Sequence, residues 1–247
     1  MPSDYLLIDV GNGRTKFGLA SREEIQEQRD APTSGLSPGE LGDVLSGWEY
    51  DRVVTSSVVP AATEKLKRYF PKEMLVLRHD ISLGIGIIYP RPETIGADRL
   101  ANAVALAHLY SSPGIVIDFG TAVTFDIVDA SASYVGGVIA PGLRLMTDYL
   151  HERTALLPHV DLHEPHHAIG KSTVEAILSG AAHGYRGMVR GILTALKQEL
   201  GNPPHLRVVA TGGDAAWISS ALPEIERVDE DLTLHGLRLV GNLHPRF

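Results

Sequence analysis

The fold is decided by two stretches of the chain, LLIDVGNGRTKFGLA at residues 6–20 and IVIDFGTAVTFDIVD at residues 115–129. They can be aligned on their aspartates, Asp9 and Asp118. Each copy has three apolar residues, an aspartate, an apolar residue, a glycine, a short turn and a second apolar run. This pattern predicts a strand, a tight turn and an antiparallel return strand. Two copies predict a duplicated α/β protein with two lobes and both turns at a shared cleft.

Strand and helix patterns alternate along the rest of the chain, as is typical of α/β proteins. Runs rich in β-branched residues predict strands at residues 6–8, 16–20, 52–55, 74–77, 115–117, 123–128, 133–139 and 208–210. Helical periodicity predicts helices at residues 37–48, 61–70, 98–110, 141–157, 172–200 and 214–221. Ser37 and Ser172 each precede a glutamate by three residues, which predicts helix N-caps at both serines. The Ser111-Ser112-Pro113-Gly114 stretch is typical of a junction, so we expect lobes at residues 1–112 and 113–247.

Composition and charge exclude several classes of protein. Of the 247 residues, 44% are hydrophobic and 21% charged, which is typical of a globular chain with a real core. The absence of cysteine excludes disulfides, thiolate metal sites and cysteine nucleophiles. A net charge of -8 without a basic cluster argues against nucleic acid as a partner. The chain lacks an apolar run of about 20 residues and a basic leader, so we expect a cytoplasmic protein that does not bind membranes.

Both Asp-x-Gly turns are predicted to lie at phosphate groups. A glycine beside a strand-end aspartate lets backbone N–H groups approach a phosphate, and the aspartate can hold Mg²⁺ against nucleotide oxygens. A third element, VVATGGD at residues 208–214, ends a strand in Gly-Gly and can lie flat against an adenosine. The alternative is that Asp and Gly simply favour turns, with Asp214 as a helix cap. The predicted ATP- and phosphate-binding residues are Asp9, Val10, Gly11, Asn12, Gly13, Arg14, Thr15, Lys16 and Thr121.

The order of these motifs resembles that of the superfamily of actin, heat-shock chaperone ATPases and sugar kinases. Within it, GADR at residues 96–99, DFGTA at 118–122 and GGVIAPG at 136–142 are similar to type III pantothenate kinase, also called the Bvg accessory factor family. The likeness runs in order over nearly the whole chain. One position departs from the family, because Gly13 stands where Thr or Ser is usual, so a hydroxyl donor to phosphate is missing there.

The resemblance implies two ribonuclease-H-like lobes around a nucleotide cleft. It implies phosphorylation of pantothenate by ATP to 4'-phosphopantothenate, the first step of coenzyme A biosynthesis. It also implies a monovalent cation, K⁺ or NH₄⁺, with Asp118 as its ligand, and a homodimer.

The segment that leads into the helix at residue 98 contains the candidate general base. From the physics alone, Asp98 can equally cap free N–H groups and complement the helix dipole. The resemblance assigns it as the base that accepts the proton of the attacking hydroxyl. Arg99 suits the carboxylate of pantothenate, or else it is an exposed helix residue. The predicted acceptor-binding residues are Tyr89, Gly96, Ala97, Asp98, Arg99 and Thr173, of which Tyr89 and Thr173 rest on the resemblance.

Four glycines form a stripe on the helix predicted over residues 172–200, namely Gly180, Gly184, Gly187 and Gly191. Each costs about 1 kcal/mol relative to alanine in a helix interior, so the stripe indicates that another backbone approaches closely. That backbone belongs either to the protein's own core or to a second subunit, and the resemblance favours the second subunit.

Two other functions fit part of the sequence. A kinase of the same fold with another acceptor, such as a sugar, would keep the nucleotide motifs, although GADR together with GGVIAPG argues against it. A nucleotide-binding regulator without catalysis is a different class, and Gly13 is the feature that leaves room for it.

The histidine-rich residues 159–167 lack the spacing of a metal site, so we expect a solvated loop there.

Overall fold

The first sheet is built around the first copy of the repeated pattern. The computed structural model describes residues 2–70 and 74–245. The sheet contains β1 (Ser3–Val10), β2 (Arg14–Ala20), β3 (Ile25–Pro32), β4 (Tyr50–Ser57) and β5 (Met74–Val76), in the order β3-β2-β1-β4-β5. Strand β1 is antiparallel to β2 and parallel to β4. The residues that end β1 therefore lie beside those that end β4.

Strand β1 is buried on both faces, because the side chains of residues 5–8 are all inaccessible to solvent. Successive side chains of a strand point to opposite faces, so the strand needs cover on both sides. On one face its even-numbered residues join a core that includes side chains of α1 (Pro38–Val44) and α2 (Pro60–Tyr69). Helix α8 (Leu232–Leu243) also contacts β1 and completes its cover.

Helix α3 (Ala97–Ala105), which contains the predicted acceptor motif, is held by α8. Gly236 of α8 lies so close to the backbone carbonyl of Ala101 that a Cβ atom at this position would overlap it. Thr233 Oγ1 donates a buried hydrogen bond of 2.8 Å to Asn102 Oδ1. These contacts fix α3 in place within the first unit of the chain.

The second sheet repeats the strand order of the first. It contains β6 (Gly86–Ile87), β7 (Gly114–Phe119), β8 (Ala122–Val128), β9 (Ser133–Pro141), β10 (Arg207–Thr211) and β11 (Arg227–Val228), in the order β11-β10-β7-β8-β9-β6. Strands β7 to β11 therefore hold the places that β1 to β5 hold in the first sheet, and β6 is added at one edge. The duplication predicted from two aspartate turns extends to the whole strand order.

The predicted helices are present with shifted ends. The helices not yet described are α4 (Leu143–Arg153), α5 (Thr173–Ser179), α6 (Tyr185–Glu199) and α7 (Ala215–Ser219). A wider helical turn at Gly180–Gly184 joins α5 to α6, so the segment predicted at residues 172–200 is continuously helical. The predicted caps at Ser37 and Ser172 are confirmed, because each hydroxyl accepts the N–H of the glutamate three residues later.

Four elements, β3, β6, β11 and α8, were not predicted from the sequence. Strand β3 lies at the edge of its sheet, and its sequence IQEQRDAP is mostly polar and exposed, so it lacks the alternating apolar pattern of a half-buried strand. Helix α8 is buried nearly all round, with Leu232, Leu237 and Val240 inaccessible. Its apolar residues nevertheless recur with a helical period, as those of α2 do, so the sequence contained a signal for α8 that the prediction missed.

The chain divides into two compact units. The first contains Met1–Gly114, Asp126–Gly136 and Asp231–Phe247, and the second contains Ile115–Phe125 and Gly137–Glu230. The lobe boundaries at residues 1–112 and 113–247 stay a prediction, and α8 is counted with the first unit. In the part of the chain that the structure describes, none of the helices has the length and apolar character of a membrane span.

Candidate active site

The turn between β1 and β2 is the first predicted phosphate-binding element. The N–H of Gly11 donates to the carbonyl of Arg14 at 3.1 Å, which closes the hairpin. Asn12, Gly13 and Arg14 are exposed, so their polar groups can reach a ligand. The side chain of Val10 is buried, which leaves only its backbone groups for binding. The roles of these residues in ATP binding stay predictions.

Thr15 lies inside this hairpin rather than on its surface. Its side chain is fully buried, and its hydroxyl lies 3.0 Å from that of Thr33. Thr33 Oγ1 donates to the carbonyl of Gly11 at 2.7 Å, and the Thr33 N–H donates to the carbonyl of Gly13 at 3.1 Å. In this structure the two threonines therefore stabilise the turn from within. Sequence reasoning missed Thr33, because it follows the unpredicted strand β3.

Asp9 lies at the end of β1, beside the end of β4. Ser56 of β4 is fully buried and donates its hydroxyl to Asp9 Oδ1 at 2.5 Å, which orients the carboxylate. Lys16 is the cross-strand partner of Asp9 on β2, and Arg14 forms an ion pair with Asp30 of β3. Two carboxylates, of Asp9 and Asp30, and two basic side chains therefore flank the turn. Ser56 was also missed, since only the parallel pairing of β1 and β4 brings it to Asp9.

The turn between β7 and β8 repeats the first one in the second unit. The N–H of Gly120 donates to the carbonyl of Ala122 at 3.1 Å, and so short a turn joins antiparallel strands. Thr121 is exposed, as its predicted contact with ATP requires. Gly142 lies against this turn, where its N–H donates to the carbonyl of Thr121 at 3.1 Å. A Cβ atom at Gly142 would overlap that carbonyl, so glycine is required here.

Asp118 ends β7 beside the Gly-Gly turn that follows β10. Gly212 has a φ of 95°, which favours glycine. A Cβ atom at Gly212 would lie 2.6 Å from the carbonyl oxygen of Phe119 and 2.7 Å from Asp118 Oδ1. Carboxylate and carbonyl oxygens therefore converge at this turn, and they are the ligands that hard cations take. In the same turn, burial raises the pKa of Asp214, and the charge of Arg144 opposes this effect.

The candidate base lies in the first turn of α3. Asp98 Oδ1 accepts the N–H of Arg99 at 2.8 Å, so the carboxylate does bond to the helix start. Burial also raises the pKa of Asp98, and the hydrogen bond and charge of Arg99 oppose the increase. Gly96 permits this arrangement, because a Cβ atom there would lie 2.5 Å from Asp98 Oδ1. A partly buried carboxylate with a raised pKa suits a proton acceptor.

Arg99 is largely buried, which excludes the exposed-helix alternative. Its side chain is 13% exposed, and its Nε donates at 2.6 Å to Oδ1 of Asp126, which is inaccessible. Burial lowers the pKa of the guanidinium, but the charge and hydrogen bond of Asp126, together with the electrostatic effects of Tyr134 and Asp98, outweigh burial, so the pKa is raised. Sequence reasoning missed Asp126, although a signal existed. A charged residue within the apolar run TFDIV requires a partner if the strand is buried.

Tyr89, predicted for the acceptor pocket, belongs to the same group of side chains. Its ring packs edge-on against Tyr134, with the ring centroids 6.1 Å apart. The guanidinium carbon of Arg99 lies 5.7 Å from the centre of the Tyr134 ring. The structure therefore brings Tyr89 and Arg99 together through Tyr134, which was not predicted.

Thr173 is exposed and begins α5, in the second unit. It lies at an apolar groove of about 950 Å³ between α4 and α5, whose lining includes Leu145, Met146, Tyr149, Thr173, Ile177 and Gly180. The four glycines of the predicted stripe are exposed, and none has a neighbouring atom within 4 Å of its Cβ position. Within the described part of the chain, the protein's own core therefore does not pack against the stripe.

Comparison with solved structures identifies the fold class. A Campylobacter jejuni protein described as a Baf family transcriptional activator superposes with a TM-score of 0.66 at 18% identity, over 98% of this chain and 100% of that one. The inorganic polyphosphate/ATP-glucomannokinase of an Arthrobacter species gives a TM-score of 0.53 at 12% identity, over 98% and 100% of the two chains. Likeness at these identities concerns the fold alone. It confirms the actin-like, sugar-kinase class predicted from the sequence.

Comparison at the level of sequence is more specific. A family model described as type III pantothenate kinase matches residues 5–195. The type III pantothenate kinase of Akkermansia muciniphila is 53% identical over 241 residues, which cover 97% of this chain and 99% of that protein. The resemblance carried by the GADR, DFGTA and GGVIAPG motifs is thereby confirmed. This chain belongs to the type III pantothenate kinase family.

Proposed function

We propose that this chain transfers the γ-phosphoryl group of ATP to the hydroxyl of pantothenate, which gives 4'-phosphopantothenate and ADP. This reaction is the first step of coenzyme A biosynthesis. The observation that carries the proposal is the pair at the start of α3, where the partly buried carboxylate of Asp98 adjoins the paired guanidinium of Arg99. A proton acceptor and an anion-binding group side by side suit an acceptor that has both a hydroxyl and a carboxylate.

The acceptor half of the reaction is assigned to residues of the first unit. Asp98 accepts the hydroxyl proton as the new O–P bond forms and the bond from the γ-phosphorus to its bridging oxygen breaks. Arg99 binds the carboxylate of pantothenate, and Tyr89 forms a wall of the pocket. Phosphoryl transfer depends mainly on positioning and charge neutralisation.

The nucleotide half is assigned to the two glycine turns and the side chains around them. The backbone N–H groups of Asn12 and Gly13 bind phosphate oxygens, and the Gly13 N–H takes the place of the hydroxyl that the family usually has. The Gly11 N–H closes the hairpin on Arg14, and Gly11 contributes by having no side chain in the way of the phosphate. Asn12, Arg14 and Lys16 supply side-chain donors, and Thr15 keeps the turn in shape from within the hairpin. Thr121 contributes a hydroxyl from the second turn.

Two cations are part of the proposal. Mg²⁺ is bound in proteins through one or two carboxylates together with substrate phosphates, so the single oriented carboxylate of Asp9 fits it. A monovalent cation, K⁺ or NH₄⁺, fits the oxygens of Asp118 and Phe119 that converge at Gly212. When bound, these cations neutralise charge on the phosphate oxygens.

The assay that tests this function measures ADP release from purified protein with ATP and Mg²⁺, with or without pantothenate and with or without K⁺. Turnover should require both pantothenate and the monovalent cation. Asp98→Asn should lower kcat by at least about 100-fold while ATP affinity is retained. Asp43→Asn, which changes an exposed aspartate of α1, should behave as wild type.

Two outcomes would support the alternatives instead. ATP binding without pantothenate-dependent turnover would indicate a nucleotide-binding regulator. Turnover with a different alcohol would indicate another acceptor. Full activity of Asp98→Asn would reject the base assignment while leaving the reaction itself intact.

A homodimer is also part of the proposal, with the glycine stripe of α5 and α6 at the interface. The glycines are exposed with open space beside them, and Gly180 continues into the apolar groove between α4 and α5. Close approach of a second copy would explain four glycines on one helix face, which otherwise only weaken the helix. Sedimentation should give a dimer for wild type and a monomer for Gly187→Arg. Glu64→Arg, on the exposed face of α2, should remain a dimer, and a dimeric Gly187→Arg would reject this interface.

A further inference from the structure

Two buried polar residues beside the acceptor site have no role in the mechanism above. Asp126 is fully inaccessible in β8, where its chain neighbours Phe125 and Ile127 are apolar. Tyr134 of β9 is equally inaccessible. Burial of a carboxylate is strongly unfavourable unless it is paired and hydrogen-bonded. The presence of Asp126 therefore calls for an explanation through the groups that it contacts.

The contacts of Asp126 and Tyr134 meet on the side chain of Arg99. Oδ1 of Asp126 accepts the Nε–H of Arg99 at 2.6 Å, and the same oxygen lies 3.4 Å from the hydroxyl of Tyr134. The ring of Tyr134 lies under the guanidinium at 5.7 Å. A guanidinium held through Nε and through one face has little freedom to rotate. Its orientation is thus set before any acceptor binds.

We propose that Asp126 is a positioning residue for phosphoryl transfer, which holds Arg99 through Nε in the orientation that binds the acceptor's carboxylate. The ring of Tyr134, which lies under the guanidinium, helps to fix the same orientation. The inference rests on the proposed function, in which Arg99 binds pantothenate. A flexible arginine would have to be ordered at each binding event, which weakens binding and misplaces the hydroxyl relative to Asp98.

The alternative role of Asp126 is simple charge compensation, and it predicts the opposite effect on substrate binding. If Asp126 only neutralised Arg99, its removal would leave a more positive site and would tighten the binding of an anionic acceptor. If Asp126 positions Arg99, its removal weakens acceptor binding despite the gain in positive charge. The sign of the change in KM for pantothenate therefore separates the two roles.

Two variants of Asp126 form a graded test by steady-state kinetics. Asp126→Ala removes the acceptor oxygen, and the KM for pantothenate should rise about tenfold or more. Asp126→Asn keeps an oxygen that can accept the Nε–H, so its KM should rise less, by about threefold. The KM for ATP should stay within about twofold of wild type in both, because Asp126 acts through Arg99, which is assigned to the acceptor. An unchanged or lower KM for pantothenate in both variants would overturn the inference.

Controls separate positioning from general loss of structure. Thr233→Val removes another buried hydrogen bond to α3, at Asn102, and should lower thermal stability without changing the KM for pantothenate. If Asp126→Ala does not fold, Asp126→Asn, which preserves volume, carries the test. In an Arg99→Gln background, Asp126→Asn should add no further rise in KM, because it acts through Arg99. A full additional rise would contradict the inference.

The same kinetic assay distinguishes a failure of this inference from a failure of the proposed function. If wild-type protein shows no pantothenate-dependent turnover, the proposed function fails, and the inference fails with it. If wild type turns over and neither Asp126 variant raises the KM for pantothenate, only the inference fails.

Discussion

Replacement of Thr33 by valine tests whether the turn between β1 and β2, which is proposed to bind phosphate, is held from inside its hairpin. The single hydroxyl of Thr33 makes two contacts, with the Gly11 carbonyl at 2.7 Å and the Thr15 hydroxyl at 3.0 Å. Valine has nearly the same shape and makes neither. A protein hydrogen bond contributes about 0.5–1.5 kcal/mol net, and a buried group left without its partner costs about 1–3 kcal/mol. We therefore expect the free energy of unfolding to fall by about 1–3 kcal/mol.

Urea unfolding measures this change, with the dependence on urea concentration unaltered. Titration calorimetry should show ATP binding weakened by about three- to tenfold, because the backbone of residues 11–13 is less firmly held. The double variant Thr15→Val with Thr33→Val removes both hydroxyls, so it should cost less than the sum of the two single changes. Thr233→Val is the control that loses stability without losing ATP affinity. Unchanged ATP affinity in Thr33→Val, or strictly additive costs, would refute the reasoning.

The other predictions each concern a single residue, Asp98, Gly236 or Asp118. Because burial raises the pKa of Asp98 and the base acts deprotonated, kcat should fall with decreasing pH around a midpoint above about 4, the value of an exposed aspartate. Asp98→Asn removes this partly buried charge, so its melting temperature at pH 7 should equal or exceed that of wild type. The difference between the two melting temperatures should shrink at a pH low enough to protonate Asp98 in the wild type. A lower melting temperature of Asp98→Asn at pH 7 would contradict this reasoning. Gly236→Ala should lower the free energy of unfolding in urea by about 1–3 kcal/mol, because its methyl group overlaps the Ala101 carbonyl, and an unchanged value would disprove this packing. Asp118→Ala should abolish the rise of kcat with added KCl, and a preserved rise would exclude Asp118 as the cation ligand.

The parts of the site that could be predicted from the sequence are those made by residues close together in the chain. The two Asp-x-Gly turns predicted both hairpins, because strand, turn and return strand lie within fifteen residues. Asp98 and Arg99 could be placed at a helix start for the same reason. Two cap serines followed by glutamates were also correct, since a cap depends on residues three apart.

The parts that could not be predicted depend on residues far apart in the chain. Thr33 stabilises a turn that lies about twenty residues before it, and it follows a polar edge strand with no apolar pattern. Helix α8 has a helical apolar period that the prediction missed, but the sequence does not show that it packs on α3 and β1. The contacts of Thr33 and of α8 exist only in the folded chain.

Arg99 belongs to a local motif that can be recognised in the sequence, whereas Asp126 and Tyr134, which orient its guanidinium, are brought to it only by the fold. GADR is a compact motif, and a guanidinium next to a carboxylate already suggests acceptor binding. A guanidinium on a helix start is nevertheless free to point into solvent, and here Asp126, twenty-seven residues later, and Tyr134 restrict it. Since phosphoryl transfer depends on alignment more than on covalent chemistry, residues that orient a substrate-binding side chain contribute to the reaction without touching the substrate. Substitution of Asp126 should therefore weaken acceptor binding even where the GADR motif is intact.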